Sequence, residues 1–348
     1  MKNLLIIYEF DREYIKRVLS FLKLFSAKGN ITLNFYAAKW LGNKIENLTL
    51  GIDENFETFE VNISSLNFFD NSIILSLNSL LEKENHRKIS EYLKKFKIKQ
   101  FNPFNPSNFA ANKYKTIEKL GRFDVNVPDS ILITFDERKM IRRKIEKFVL
   151  EKEVEGFYIQ ANSDTEGKQT YFFKKKEIIE NFHFLEETIN TILPEQPVII
   201  KEKRGNIYYF KDEEKECGYR SVVLRFFIFQ WNREIYSDWC FVEVSKKEDI
   251  PLSSPLKGGE ILNFKKIENN LFFKKERYFE RFFLKEEQKK KIISEVKKIF
   301  YLFNKNLKEK LKIGGIDILI ETDGKDIKIL FLELNPRPSG LDKLSLFI

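Results

Sequence analysis

Two apolar segments near the carboxyl terminus are each interrupted by a carboxylate. Asp317 lies within the run at 316–321 and Glu333 within the run at 327–334, and Asp323-Gly324 between them is a turn signal. The pattern predicts a β-hairpin of largely buried strands. A carboxylate in such a strand is unfavourable unless it is paired or binds a metal ion. The hairpin therefore restricts both the fold and the chemistry of the chain.

The face of the hairpin on which each carboxylate lies depends on the length of the connecting loop. Side chains alternate faces along a strand, so Glu333 and Asn335 share a face. Asp317 joins that face only if the connecting loop has an odd number of residues, for example three centred on Lys325. A two-residue loop would place the two carboxylates on opposite faces.

On one face, Asp317, Glu333 and Asn335 would present the oxygen ligands that Mg²⁺ prefers, with phosphates and water completing its octahedral shell. No sulfur or imidazole ligand is near them in the sequence, which argues against Zn²⁺. Arg337 follows, and its guanidinium suits a bidentate contact with a phosphate or an acyl group. An edge hairpin with outward-facing acids is an equally good interpretation of these residues alone.

Strand and helix signals alternate in the first hundred residues. An apolar run at 4–8 predicts a buried strand, and apolar residues at helical spacing predict a helix over 11–25. A second apolar run at 72–75 precedes a helical pattern over 80–96. The alternation predicts a small α/β domain. The segment 101–108 is rich in Asn and Pro and resists helix, so we expect a domain boundary there.

The remaining two thirds of the chain mix strand and helix signals in a less regular order. The predicted helices are a short one ending at residue 120 and longer ones over 141–152, 177–192 and 285–310. The predicted strands before the hairpin are 157–160, 171–173, 197–201, 221–230 and 236–244.

Composition excludes several classes of protein. The net charge of +9 fits anionic partners, but the basic residues form no stripe and no nucleic-acid-binding signature occurs. Cys217 and Cys240 give neither a disulfide framework nor metal-ligand spacing, so we expect a reducing, cytoplasmic environment. Without a signal peptide or 18 consecutive apolar residues, we expect no secretion and no membrane span.

Familiar catalytic motifs are absent from the sequence. It contains no GxGxxG, HExxH or GxSxG, and Gly167-Lys168 fails as a P-loop because Asn162 and Gln169 replace the required Gly and Ser/Thr. His86 and His183 lie in polar helical contexts and are predicted to be on the surface. Catalysis by histidine is therefore not expected.

The segment Glu333 to Gly340, preceded by Gly315-Ile316-Asp317, resembles the metal-binding end of the ATP-grasp superfamily. Other segments resemble parts of that fold in the same order along residues 110–348. They are the opening helix and strand (112–116 and 127–130), the nucleotide-lobe hairpin with its phosphate loop (157–168), the hinge beside adenine (198–202), the arginine facing the γ-phosphate (Arg225) and the Gly-Gly loop (254–259).

This resemblance implies an α/β protein with a two-lobed α+β ATP-grasp fold behind a small α/β domain. The implied domains are 1–108, a nucleotide lobe at 109–200 and a carboxyl-terminal lobe at 201–348. The implied reaction uses ATP and Mg²⁺, or Mn²⁺ in its place. A substrate carboxylate becomes an acyl phosphate, and an amine then displaces the phosphate.

The resemblance also assigns roles to residues. Asp317, Glu333 and Asn335 would bind the metal, and Arg225 and Arg337 would stabilise the transferring phosphoryl group. The nucleotide contacts would come from Lys113, Gln160, Lys168, Lys201 and Glu202.

Two departures weaken the expected activity more than the expected fold. Gln160 stands where the first lobe normally carries a lysine for the α-phosphate and adenine, so Lys168 or Lys201 would have to compensate. The loop at 162–168 is acidic and has a single glycine. Arg220 also competes with Arg225 for the phosphate-binding role.

Three functions follow from these observations. The first is a carboxylate–amine ligase that acts on small-molecule or peptide substrates, as a monomer or a homodimer. The second is an ATP-grasp-like protein that binds a nucleotide or a peptide without ligation. The third is a nucleic-acid-binding protein, which the scattered charge disfavours.

Overall fold

The computed structural model describes residues 2–9, 12–63, 65–74, 80–163, 169–212, 218–247 and 257–337. Its strands form three sheets that follow one another along the chain. The predicted mixture of helices and sheets is confirmed. Within these residues, no helix combines the length and the apolar character needed to cross a membrane.

The first sheet has the order β4-β3-β2-β1-β5-β6, and β1 is parallel to both of its neighbours. Even-numbered residues of β1 pack in one cluster with helix α1, and odd-numbered residues pack with α2, so β1 is apolar throughout. The predicted strand and both predicted helices are confirmed. The elements are β1 (Lys2–Tyr8), α1 (Arg12–Lys28), β2 (Leu33–Lys39), β3 (Leu48–Ile52), β4 (Thr58–Asn62), β5 (Asn71–Ile74), α2 (Leu80–Lys95) and β6 (Lys99–Gln100).

The segment 101–108 was predicted to resist helix, and this is wrong. Helix α3 spans Phe104–Ala111 and is followed by α4 at Lys113–Gly121. Pro106 lies in the first turn of α3, where backbone N–H groups have no acceptor within the helix, so its missing N–H costs nothing there. The Asn112 side chain caps α4 by accepting the Lys115 N–H at 3.0 Å.

The second sheet has the order β7-β10-β8-β9. Its elements are β7 (Ser130–Ile133), α5 (Ile141–Leu150), β8 (Gly156–Ala161), β9 (Thr170–Lys174), α6 (Lys175–Glu180), α7 (Phe182–Ile192) and β10 (Val198–Glu202). Phe157, Ile159 and Ile200 pack against α5 and α7, which leaves Gln160 and Lys201 on the opposite face. The helix predicted over 177–192 is two helices, because the backbone at Asn181 is not helical.

The third sheet contains the predicted hairpin. Its elements are β11 (Ile207–Lys211), β12 (Gly218–Trp231), β13 (Glu234–Val244), β14 (Glu260–Leu262), α8 (Phe264–Ile267), β15 (Leu271–Lys275), β16 (Tyr278–Phe282), α9 (Glu286–Asn304), β17 (Ile313–Thr322) and β18 (Ile327–Asn335). The order β14-β13-β12-β11-β15-β16 is extended by β17, which pairs with β12, and by β18, which pairs with β17. Helix α9 ends before the predicted residue 310, because the Asn304 side chain exchanges two hydrogen bonds of 2.8 Å with the backbone of Leu311.

The first and third sheets share a core. Phe25 of α1 packs edge-on against Phe227 of β12, with ring centroids 4.9 Å apart. The surrounding cluster combines residues of β1, β2 and α1 with Phe229, Phe241 and Ile313. The amino-terminal sheet is thereby held against the sheet that carries the hairpin.

Candidate functional site

The β17–β18 hairpin brings Asp317 and Glu333 together through a β-bulge. Four residues, 323–326, connect the strands, which is an even number and not the odd number that the sequence argument required. The pairing is regular up to Ile318–Phe331, then skips Leu332, and continues with Asp317 opposite Glu333. The extra residue reverses the parity of the loop, so the two carboxylates share a face. Asn335 lies on the same face and donates a 3.1 Å hydrogen bond to Asp317 Oδ2.

Arg225 pairs with Asp317 across the neighbouring strands β12 and β17. Its Nε and Nη2 donate hydrogen bonds of 2.5 Å and 2.7 Å to the two carboxylate oxygens, and Nη2 lies 3.4 Å from Glu243 Oε1. Burial raises the pKa of Asp317, which is 4% exposed, while Arg225 lowers it and the charge of Glu333 raises it further. Burial lowers the pKa of Arg225. The charges of Asp317 and Glu243 outweigh this effect and hold the pKa of Arg225 well above its ordinary value.

Two lysines from other elements face Glu333. Lys113, the first residue of α4, places its Nζ 3.9 Å from Glu333 Oε2. Lys201 of β10 is 1% exposed, and burial lowers its pKa to about 8 while the charges of Glu333 and Asp317 act in the opposite direction. The site therefore combines carboxylates of one hairpin with cations of α4, β10 and β12.

The chain crosses from the second sheet to the third beside this cluster, at residues 203–206. Arg204 donates two hydrogen bonds of 2.6 Å to the Glu321 carboxylate and one of 2.8 Å to Glu202. Gly205 has a φ of +84°, and a Cβ there would lie 3.1 Å from the Cβ of Leu319. These contacts join the second and third sheets beside the charged cluster. The region between the two sheets that this cluster lines is the cleft.

An apolar patch adjoins the charged cluster on the third sheet. Val223, Leu319 and Leu330 form a small cluster of their own, separate from the main cores, and Leu332 packs against it. Val223 and Leu319 each lie two residues from a charged member of the site, Arg225 or Asp317, and so share its face. The cleft therefore offers an apolar floor next to paired charges.

Comparisons with known proteins give a consistent result for this architecture. No protein-family model matches the chain, and no curated protein matches it. Among solved structures, the VanG D-Ala:D-Ser ligase from Enterococcus faecalis superposes with a TM-score of 0.55 at 11% identity, covering 97% of this chain and 90% of that one. D-alanyl-alanine synthetase A from Vibrio cholerae gives 0.54 at 12%, with 99% and 91% covered. A Chryseobacterium gregarium RiPP-associated ATP-grasp ligase, in complex with ADP and a leader and core peptide, gives 0.50 at 11%, with 99% and 91% covered.

This chain has the ATP-grasp fold. The similarity extends over nearly the whole chain, so the small amino-terminal α/β sheet belongs to the shared architecture as well. At identities of 11–12% the similarity establishes the fold.

The donor set of the ATP-grasp cleft fits Mg²⁺. Mg²⁺ in proteins is commonly held by one or two carboxylates together with phosphate oxygens and water. Asp317, Glu333 and Asn335 offer two carboxylates and one amide on a shared face. Among the residues that the structure describes, no three or more His, Cys, Asp or Glu side chains are arranged to hold a metal. By ligand type, the two carboxylates and the amide suit a cation whose other ligands are phosphate oxygens and water.

Arg337 contacts a histidine that the sequence placed on the surface. His86 is fully buried, which corrects that prediction, and its Nδ1 lies 3.1 Å from Arg337 Nη1. Its Nε2 lies 2.8 Å from the carbonyl oxygen of Asn102. Burial lowers the pKa of His86 to about 3, with the charge of Arg337 adding to the shift. A neutral His86 can accept from Arg337 at Nδ1 and donate to Asn102 at Nε2.

The burial of His86 had a signal in the sequence. It lies three residues before Ile89 and seven before Leu93, both fully buried, which is the spacing of one helix face. His183 was also predicted to be on the surface, and its side chain is 79% exposed, which confirms that prediction.

The other predicted nucleotide contacts are divided between the cleft and its margin. Gln160 lies on the same face of the second sheet as Lys201. The Glu202 carboxylate is already used by Arg204 and by the Asp129 N–H, which it accepts at 3.1 Å. Lys168 and the acidic part of its loop lie outside the described residues.

Two further placements bear on the site. Arg220, the alternative to Arg225, is five residues from it on β12 and so faces the other side of the sheet. Glu243 of β13, which the sequence argument missed, contacts Arg225 because β13 pairs with β12.

Proposed function

We propose that this protein is an ATP- and Mg²⁺-dependent ligase that activates a carboxylate as an acyl phosphate and joins it to an amine. The observation that carries the proposal is the convergence of Asp317, Glu333 and Asn335 with Lys113, Lys201 and Arg225 in one cleft. Such an arrangement of oxygen ligands and cations suits a metal–polyphosphate. The ligases with the same fold support the choice of reaction.

In this proposal Asp317, Glu333 and Asn335 hold Mg²⁺, or Mn²⁺, through their side-chain oxygens. The cation supplies neutralisation of the charge on the phosphates. Arg225 would stabilise the transferring phosphoryl group, which requires its bidentate pair with Asp317 to separate when Asp317 binds the metal. Arg337 is assigned the same task at the end of the hairpin.

The nucleotide would be bound by residues from both lobes. Lys113 and Lys201 would contact phosphate oxygens, and Gln160 and Glu202 would line the rest of the site. Lys168, which lies outside the described residues, keeps the nucleotide-binding role proposed from the sequence. Positioning and charge neutralisation account for catalysis of this kind, so no histidine base is required.

We also propose that the three sheets define three functional units, at 1–108, 109–200 and 201–348. Strands of the first sheet end at Gln100 and those of the second begin at Ser130, and the second and third are separated by the crossing at 203–206. The substrates are proposed to be small-molecule or peptide carboxylates and amines. Ligases named for amino acids and a ligase bound to a peptide share the fold.

Trapping of the acyl phosphate tests the reaction without knowledge of the amine. The full-length protein is incubated with ATP, Mg²⁺, hydroxylamine and a panel of amino-acid and peptide carboxylates. We expect a hydroxamate and an equal amount of ADP with a subset of the carboxylates. Glu333→Gln should reduce both by about 10²–10³-fold, whereas Glu280→Gln on the exposed face of β16 should leave them unchanged.

One observation favours a second function, binding without ligation. Arg225 binds both carboxylate oxygens of Asp317 in the structure, so these groups become available to a ligand only when the pair separates. Tight binding of ATP with no hydroxamate from any carboxylate, at any concentration of hydroxylamine, would favour this function over the ligase.

A further inference from the structure

Within the described part of the chain, only one of the two polar atoms of the Gln160 side-chain amide has a hydrogen-bond partner. Its Nε2 donates a 3.2 Å hydrogen bond to Thr170 Oγ1 on the adjacent strand β9. Its Oε1 is buried and has no hydrogen-bond partner among the described residues. A buried acceptor without a donor is unfavourable, and in a native protein it calls for an explanation such as a bound ligand.

The unpaired oxygen is on the cleft face of the second sheet. Phe157, Ile159 and Ala161 alternate with Tyr158 and Gln160 and pack against helices, so Gln160 points away from that core. Gln160 lies opposite Ile199 on β10, and Lys201, two residues further along β10, is the residue beside Glu333 and Asp317. Gln160 therefore shares a surface with the proposed phosphate-binding lysine.

The chemistry of the unpaired atom restricts what it can bind. An acceptor needs a donor, and the phosphates of a nucleotide present only acceptors. ATP carries donors at the exocyclic amino group of adenine and at the ribose hydroxyls. A carboxamide also matches one edge of adenine in full, because N6–H donates and N7 accepts, whereas guanine presents two acceptors, O6 and N7, on the same edge.

We propose that Gln160 selects adenine by reading this edge, with Oε1 accepting from the N6 amino group and Nε2 donating to N7. The inference rests on the proposed nucleotide-binding function. Thr170 then serves as the alternative partner of Nε2 in the unliganded protein, since its hydroxyl can accept in place of N7. A lysine at this position could donate to N7 but could not distinguish the two purines at position 6.

Calorimetric titrations of the full-length protein with different nucleotides in Mg²⁺ test the proposal directly. ATP should bind more tightly than GTP by about 5- to 150-fold, the range for one bidentate amide–base contact. ATP analogues that lack N7, such as 7-deaza-ATP, should bind about 2- to 12-fold more weakly than ATP, because one hydrogen bond is lost.

Variants separate the two contacts. Gln160→Leu should remove both differences. Gln160→Glu keeps the acceptor and loses the donor, so it should still prefer ATP over GTP but should bind 7-deaza-ATP as tightly as ATP. Gln230→Leu makes the same change on β12 and should retain both differences. Thermal melting of each variant reports whether it is folded, and the wild-type titrations do not depend on any variant.

The outcomes distinguish this inference from the function on which it rests. If the wild type binds ATP, GTP and 7-deaza-ATP with equal affinity, Gln160 does not read the base, although the nucleotide site remains. If the wild type binds none of them in Mg²⁺, both the inference and the proposed function are wrong.

Discussion

Buried charges that neutralise one another define the candidate site at the scale of single residues. Asp317 is buried, Arg225 is largely buried and forms a bidentate pair with it, and Glu243 lies next to Arg225. Removing one partner of a buried pair leaves an uncompensated charge in a medium of low dielectric. The stability of the free protein is thus coupled to residues that are proposed to act on phosphate.

Replacing Arg225 with Met should lower the free energy of unfolding by about 3–5 kcal/mol, because Asp317 and Glu243 lose their counter-charge. Asp317→Asn in the Arg225→Met background should recover part of this loss, since it removes the stranded carboxylate. Urea denaturation of the wild type, both single variants and the double variant measures the coupling. If the free-energy losses of the two single variants simply add in the double variant, Arg225 and Asp317 are not directly paired.

Individual residues of the site were predictable where their type is unusual for their context. Asp317 and Glu333 were noticeable because each interrupts an apolar strand, and the structure brings them together. Glu243 could not be found in this way, since its contact with Arg225 depends on the pairing of β12 with β13. The Arg225–Asp317 pair itself joins residues 92 positions apart, which no local pattern indicates.

At the scale of elements, the bulge at Leu332 determines the geometry of the hairpin. A four-residue loop alone would place Leu332 opposite Asp317 and turn Glu333 to the other face. The bulge shifts the register by one residue and leaves both carboxylates on the cleft side. The sequence analysis treated a shared face as a condition for a metal site, and the two carboxylates do share a face. It expected an odd-numbered loop to produce that face, whereas a bulge after a four-residue loop produces it.

Deleting Leu332 should preserve the shared face, because a regular ladder after Phe331 again places Glu333 opposite Asp317. Leu332→Ala removes the same side chain and keeps the bulge, so it is the matched control. Calorimetry should give Mg²⁺-dependent ATP affinities for the deletion and the control that agree within about 3-fold, which is less than 1 kcal/mol. Loss of binding in the folded deletion variant alone would show that the bulge has a role beyond register.

Three of the strands that the sequence did not predict are short and rich in aromatic residues. β11, β15 and β16 each combine Phe or Tyr with charged residues, and their apolar stretches are at most four residues long. Their aromatic side chains pack on one another, as in the edge-on contact of Tyr208 of β11 with Phe279 of β16. Cross-strand contacts of this kind stabilise a strand only after its neighbours are in place.

For the whole molecule, polar contacts tie the first sheet to the end of the hairpin. His86 of α2 contacts Arg337, and the Asn102 side chain donates to the carbonyl oxygen of Pro336 at 3.3 Å. Both contacts lie directly after Asn335, the last proposed metal ligand. The first domain was predicted from strand and helix alternation, but its attachment to the site could not be, because it relies on a histidine that looked polar and exposed.

The burial of His86 predicts a pH dependence of stability. Its pKa is about 3 in the folded protein against an ordinary value of 6.5, so the unfolded chain binds the proton first as the pH falls. The contribution of His86 is fully present above pH 6.5 and declines by about 1.4 kcal/mol per pH unit below it. Urea denaturation between pH 7 and pH 5 should show this slope in the wild type.

The two histidines of the chain provide the control for this slope. His86→Gln should lose the part of the slope that comes from His86, whereas His183→Gln, at the exposed site, should keep it. If both variants follow the wild-type pH profile, the buried neutral state of His86 is incorrect.

We propose that a metal–nucleotide complex binds between the second and third sheets through the β17–β18 hairpin. Isothermal titration of ATP into the full-length protein, with and without Mg²⁺, tests it most directly when the wild type is compared with Glu333→Gln. We predict that ATP binding by the wild type depends on Mg²⁺ and that this dependence disappears in Glu333→Gln while the variant remains folded. Binding that is indifferent to Mg²⁺ in the wild type, or Mg²⁺ dependence that survives in Glu333→Gln, would contradict the claim.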